Sequence, residues 1–226
     1  MLSIKTFFES VRKPQRNVPL SGLISTTVGI ILFGFFLGVL QKWLDGTASN
    51  HLPEIVQRLD FRNYFGRLAI WMLLGTILSV YSPSPLWAAI NTFCFFISML
   101  AGYYLYCNYV LGFLPRRYMQ MWIVISFFAF FMAYVCWYAK GNGIVAVFLS
   151  SLILGCLLAQ AVNLGRGRVY VYHFLEVLTW LAGVILLRRS PGEFAAEMGL
   201  SIVVAFLYQC TLCLLYTSDA ADEARS

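Results

Sequence analysis

The sequence predicts an all-α, polytopic transmembrane helical bundle of about seven spans, with an amphipathic interfacial helix between spans one and two. Three observations predict it. Apolar runs, each close to the ~20 residues a bilayer crossing needs, fill the chain from Leu20 to Leu215, with short turns between most of them. The composition is 60% hydrophobic and only 12% charged, half the ~25% charge of a soluble domain. Mean hydropathy is +0.75, so the spans use up most of the 226 residues and leave no room for a soluble domain.

Residues 1–19 form a basic amphipathic segment. Lys5, Arg12, Lys13 and Arg16 stand against a single acid, Glu9, while Ile4, Phe7, Phe8 and Val11 recur at helical spacing. That pattern predicts a short helix on the membrane surface, ended by Pro14 and Pro19. The first span is Leu20–Leu40, too long for a signal-peptide core. In the long loop that follows, Leu52, Ile55, Val56 and Leu59 take one helical face, and Glu54, Gln57, Arg58 and Arg62 the other. This is the interfacial helix, a surface anchor or a gate over a central cavity. Lys42 and Asp45, flanking Trp43 at the exit of span one, belong to the same candidate gate.

The later spans read as Gly66–Ser82, Pro85–Tyr109, Tyr118–Ala139, Gly143–Asn163, Tyr170–Leu187 and Ala195–Leu212, making 20–212 one transmembrane helical domain. Pro, Gly and basic residues punctuate their turns. The +6 formal charge sits mostly at helix ends, which predicts contact with anionic lipid headgroups and excludes nucleic acid. Basic residues divide almost evenly between the two sides, so the basic N-terminus decides the orientation and is placed in the cytoplasm.

The last residues, Cys213-Leu214-Leu215-Tyr216-Thr217-Ser218-Asp219-Ala220-Ala221-Asp222-Glu223, resemble a translated sequencing-library transposase adapter. On that resemblance 213–226 is not native, the seventh span is cut short, and such a scar is excluded from fold reasoning. Setting aside Arg225, Asp219, Asp222 and Glu223 raises the formal charge from +6 to +8.

Three further stretches, Gly38 to Asp45, Ser84 to Asn91 and Cys136 to Gly143, resemble a family of uncharacterised small multi-pass membrane proteins of Gram-positive bacteria. The resemblance covers residues 20–212. It implies a bacterial cytoplasmic membrane protein and carries no chemistry with it.

Polar residues inside lipid are the candidates for function, because each is costly there. Glu176 is the one acid read as lying well inside a span, six residues past Tyr170 and so ~9 Å deep. His173 precedes it by three, on the same helical face. Together they suit a cationic group or a proton. Asn91 and Gln160 join them as candidate substrate contacts, or else serve as interhelical ties along with Asn163 and Gln209. Gly34 with Gly38, and Ser151 with Gly155 and Ala159, place small residues on one face for close packing. The six cysteines form no metal-ligand spacing, two histidines are too few for a histidine-based centre, and no hydrolase or nucleotide-binding signature occurs. No cofactor or metal is therefore expected. The readings that fit are a small-solute transporter or the membrane substrate-binding subunit of one; alternatively a non-transporting scaffold, sensor or partner subunit; and last, a membrane-embedded enzyme acting on lipid. A membrane partner subunit or self-association accompanies the first two.

Overall fold

The structure is a computed structural model. It describes residues 4–15, 18–48, 52–164 and 169–223, with side chains over 7–211 of these. Among them the helices are α1 Ile4–Val11, α2 Leu20–Gly46, α3 Glu54–Arg58, α4 Phe61–Gly66, α5 Leu68–Tyr81, α6 Pro85–Tyr109, α7 Arg116–Cys136, α8 Ile144–Ala161, α9 Phe174–Leu186 and α10 Pro191–Glu223. A 3-10 turn at Trp137–Lys140 extends α7, and Val162–Asn163 pairs antiparallel with Tyr170–Val171 as β1 and β2. The all-α class holds. The described helices long and apolar enough to cross a membrane number five: α2, α6, α7 with its extension, α8, and α10 over Pro191–Thr211.

Two of the expected spans are shorter helices. α5 has 14 residues and α9 has 13, which at 1.5 Å each reach only about 20 Å of a ~30 Å core. Both were shortened by local chemistry. At α5, the break at Arg67 leaves the Phe65 carbonyl outside the helix, and it takes hydrogen bonds from Gln41 Nε2 (3.0 Å) and Trp71 Nε1 (2.8 Å). At α9, Tyr170 and Val171 leave the helix for the β-pairing that their branched and aromatic side chains favour.

The interfacial helix also differs from expectation. It is two short helices, α3 and α4, broken at Asp60, whose φ of 54° lies in the left-handed region. The Asp60 carboxylate holds that turn by accepting from Asn63 Nδ2 and Arg67 Nη2, each at 2.7 Å. The buried side chain of the pair is Tyr64 on α4, while Ile55 of the expected apolar face is exposed.

The chain divides into two compact units, Met1–Asn142 and Gly143–Ser226, inside what reads in sequence as one domain of 20–212. In the first, α2 lies against α6 around a core of Trp71, Phe95 and Met99, with Ile30, Leu37 and Leu74 packed on it. Closeness depends on glycine. A Cβ on Gly38 would overlap the Met99 carbonyl, and one on Gly102 the Phe35 carbonyl. These are backbone atoms, which cannot rotate aside. Gly38→Leu is therefore expected to force the two helices apart, at a cost of about 3 kcal/mol or more. A lower thermal midpoint of the detergent-solubilised protein would register it; an unchanged midpoint would show that the helices are not held this closely.

In the second unit α8 and α10 run parallel. A Cβ on Gly155 would strike Val204 and the Ser201 carbonyl, and four residues further on Ala159 meets Gln209. The buried α10 residues Glu197, Ser201 and Ala205 follow one another at i+4, and half-buried Gln209 continues the same stripe. Two adjacent parallel helices require the chain between them to return along their length, which is the path of α9.

Candidate functional site

Polar groups gather at three places, two in the first unit and one in the second. The first is built around Arg12, just past α1. Its half-buried guanidinium donates to the Trp137 carbonyl at 2.6 Å and the Val80 carbonyl at 2.7 Å, and it lies 4.1 Å from the centre of the Trp137 ring. Burial lowers its pKa, yet a guanidinium that starts above ~12 stays charged. Trp137, 1% exposed, donates its indole N–H to the Ser82 carbonyl at 2.7 Å. Backbone bonds complete the junction: Asn142 N–H to the Val11 carbonyl and Gln15 N–H to the Pro83 carbonyl. The N-terminal segment, expected to lie on the membrane surface, is thus tied into one end of its own unit.

Asn91 belongs to the same end. Its Oδ1 accepts from the Thr27 hydroxyl at 2.7 Å, and its Nδ2 donates to Ser82 Oγ at 3.0 Å. Both halves of the amide are engaged with neighbouring elements.

The second place joins Lys42 and Asp45 through Tyr103 of α6. The phenol donates to Asp45 Oδ2 at 3.2 Å and accepts from Lys42 Nζ at 3.4 Å. The ammonium also lies 5.0 Å from the Tyr103 ring and 5.6 Å from that of Phe113. Arg58 and Arg62, assigned with them to a gate, are both exposed, and Arg58 pairs with Glu54 one turn back on α3 at 2.5 Å. His51 lies outside the described residues.

The third place is the second unit, where the buried carboxylates are. Glu176 is 1% exposed, but it stands in the first turn of α9, close to the helix N-terminus, where the dipole favours a negative charge. The expected depth of ~9 Å counted from Tyr170 does not apply, because β2 occupies the start of that run. His173 is exposed and precedes the helix with extended backbone, so it does not share a helical face with Glu176. Arg168, within reach of Glu176 by sequence, lies outside the described residues. Gln160, at the end of α8, donates to the Cys156 carbonyl at 3.3 Å. Gln209 ties that end to α10: it donates to the Ala159 and Val162 carbonyls at 2.9 and 2.6 Å and accepts from Leu164 N–H at 2.8 Å. Of the four residues taken as one substrate site, Asn91 belongs to the first unit and Glu176, His173 and Gln160 to the second.

A buried acid that the sequence reading passed over stands at the opposite end of α9 from Glu176. Glu197 of α10 is fully buried, and its Oε1 lies 3.7 Å from Nε of Arg189, whose side chain is 6% exposed. Neither oxygen of Glu197 accepts a hydrogen bond of good geometry, although the Ser150 hydroxyl is beside it. The signal for this site was in Ser190-Pro191-Gly192-Glu193. A serine followed by proline and, three residues on, by glutamate is a helix start. Ser190 Oγ lies 3.2 Å from Glu193 Oε2 and the Phe194 N–H donates to the Ser190 carbonyl, which opens α10 at Pro191. Placing those residues in a turn put Glu197 at the edge of a span; in the structure it is six residues, ~9 Å, into one.

Fold and polar sites together fit a multi-pass helical membrane protein, with five helices that meet the requirements for crossing. Compared with known proteins, the chain matches no family model, no curated protein and no solved structure.

Proposed function

We propose that the protein is a small-solute transporter, or the membrane substrate-binding subunit of one, in the bacterial cytoplasmic membrane, with its N-terminus on the cytoplasmic side. The observation that carries this reading is the Arg189–Glu197 pair, charged and buried in a chain that is otherwise poor in charge. Ionisable groups are rarely kept inside a spanning bundle without a task, because even a paired charge loses its hydration there. The Ser150 hydroxyl on α8 is beside Glu197, and Ser151 on α8 and Ser201 on α10 are buried in the same unit.

Seven crossings accompany the proposal. Counting α5 and α9 as crossings is supported by where they run: α5 starts near Gln41 and ends near Arg12, and α9 joins two parallel helices. The Arg12, Trp137, Ser82, Asn91 and Thr27 network favours a second reading for the first unit, a scaffold whose polar groups satisfy one another.

Reconstitution into liposomes tests the transport reading. Glu197→Gln is expected to lower uptake of the transported solute by at least about tenfold while the protein stays folded. A folded variant that takes up a panel of anionic, neutral and cationic solutes as the parent does would count against it.

A further inference from the structure

We infer that Lys42 and Asp45 form a headgroup site for phosphatidylethanolamine, in which the lipid phosphate binds Lys42 and the lipid ammonium binds Asp45. The site lies in the first unit and does not depend on the transport reading. The two residues stand three apart on α2 and so share one face of it. Between them is the Tyr103 hydroxyl of α6, which accepts from Lys42 Nζ at 3.4 Å and donates to Asp45 Oδ2 at 3.2 Å. Cation and anion thus meet through a phenol and not directly. An ammonium has three donors and a carboxylate about four acceptor positions, and Tyr103 engages one of each. The rings of Tyr103 and Phe113, 5.0 and 5.6 Å from Nζ, hold the ammonium in place.

Depth places the pair among lipid headgroups. α2 begins at Leu20, so Lys42 lies ~33 Å along a helix that crosses a core ~30 Å thick. Trp43 and Phe113 beside it are exposed, as aromatic side chains at the membrane interface are. Lys42 and Asp45 are half-buried rather than enclosed, so a headgroup reaches them from the surface and no cavity is required. Charge then selects the headgroup. One cation and one anion match a zwitterion, and the phosphate and ammonium of phosphoethanolamine are two carbons apart. Phosphatidylglycerol brings a phosphate to Lys42 but no cation to Asp45. Phosphatidylcholine has a cation without an N–H, so it cannot donate to the carboxylate, and charge-assisted hydrogen bonds are the strong ones. Arg116 and Arg117, which follow Phe113 at the start of α7, are exposed and favour an anionic lipid over a neutral one. A preference for the ethanolamine lipid therefore has to come from Asp45.

The test uses the full chain in detergent, with dioleoyl phosphatidylethanolamine, its N-methyl and N,N-dimethyl forms, phosphatidylcholine and phosphatidylglycerol added singly. Native mass spectrometry reads binding, and the thermal midpoint reads stabilisation. The ethanolamine lipid is expected to bind at least about tenfold more tightly than the choline lipid, with the methylated forms between them in order of their remaining N–H groups. Asp45→Asn still accepts from Tyr103, but is expected to lose that preference and to bind phosphatidylglycerol more tightly than phosphatidylethanolamine. An Asp45 with only a structural role would move the midpoint and leave the ranking of lipids unchanged. Lys42→Gln is expected to weaken every one of these lipids by about fivefold, and Lys140→Gln, at the other end of α7, to weaken none. Should a variant fail to fold, the methylation series on the unaltered protein decides alone. Equal binding of the ethanolamine and choline lipids, or an ethanolamine preference that survives Asp45→Asn, overturns the inference. Soluble glycerophosphoethanolamine that displaces the lipid at equal concentration overturns the assignment to a lipid. Each of these failures leaves the transport reading standing.

Discussion

Arg12→Ala is expected to destabilise the first unit by about 4 kcal/mol or more. Two charge-assisted hydrogen bonds, at about 1.5–3 kcal/mol each, are lost with the guanidinium, and the stacking on Trp137 adds about 0.5–2 kcal/mol. The carbonyls of Val80 and Trp137 stay behind without that donor. A single side chain joins the segment after α1, the end of α5 and the turn after α7, so the loss is shared by three elements. Arg12→Lys keeps the charge but not the fork, and one ammonium cannot serve both carbonyls with the same geometry while stacked on a ring. It is expected to recover less than half of the loss. Thermal unfolding in detergent would show the alanine variant lower by on the order of 10 °C. Faster tryptic cleavage at Lys13 would accompany it, because the segment is then no longer held. An alanine variant with the parent's midpoint would mean that the segment merely rests on the bundle.

Hydropathy made most of this architecture legible, because length and apolarity are the properties lipid selects. The boundaries of α2, α6 and α8 lie within a few residues of the runs that predict them, apart from the longer C-terminal end of α2. The close-packing faces were equally legible, since Gly34, Gly38 and Gly155 lie where their spacing puts them. What hydropathy could not separate was an apolar helix from an apolar strand. Val169-Tyr170-Val171-Tyr172 is hydrophobic either way, and only its branched and aromatic alternation argues for pairing. That one misreading put Glu176 too deep and placed His173 on its face. The converse error hid Glu197: Ser190 and Pro191 were read as a loop because polar and breaker residues suggest one, when in this order they start a helix. Arg12 was legible only as a charge. Its partners are two main-chain carbonyls 68 and 125 residues away, and no local pattern encodes an acceptor that every residue possesses.

Breaking the Arg189–Glu197 pair from one side should cost far more than removing it whole, and that contrast separates a structural role from a functional one. Arg189→Met alone leaves Glu197 fully buried without the cation beside it, which is expected to cost about 3–5 kcal/mol unless the carboxyl takes up a proton. Protonation makes the loss smaller at low pH, so the Arg189→Met variant gains stability relative to the parent as pH falls. Arg189→Met combined with Glu197→Leu removes both charges and fills the space with apolar atoms against Ser150 and Ser201. Buried ion pairs replaced in this way are often neutral or more stable, so the double variant is expected within about 1 kcal/mol of the parent or above it. The coupling energy of the cycle is then several kcal/mol. If so, folding alone does not explain two buried charges in a chain so poor in charge. A double variant as unstable as Arg189→Met alone would point the other way, to a pair that holds α10 in place together with the hydroxyls around it.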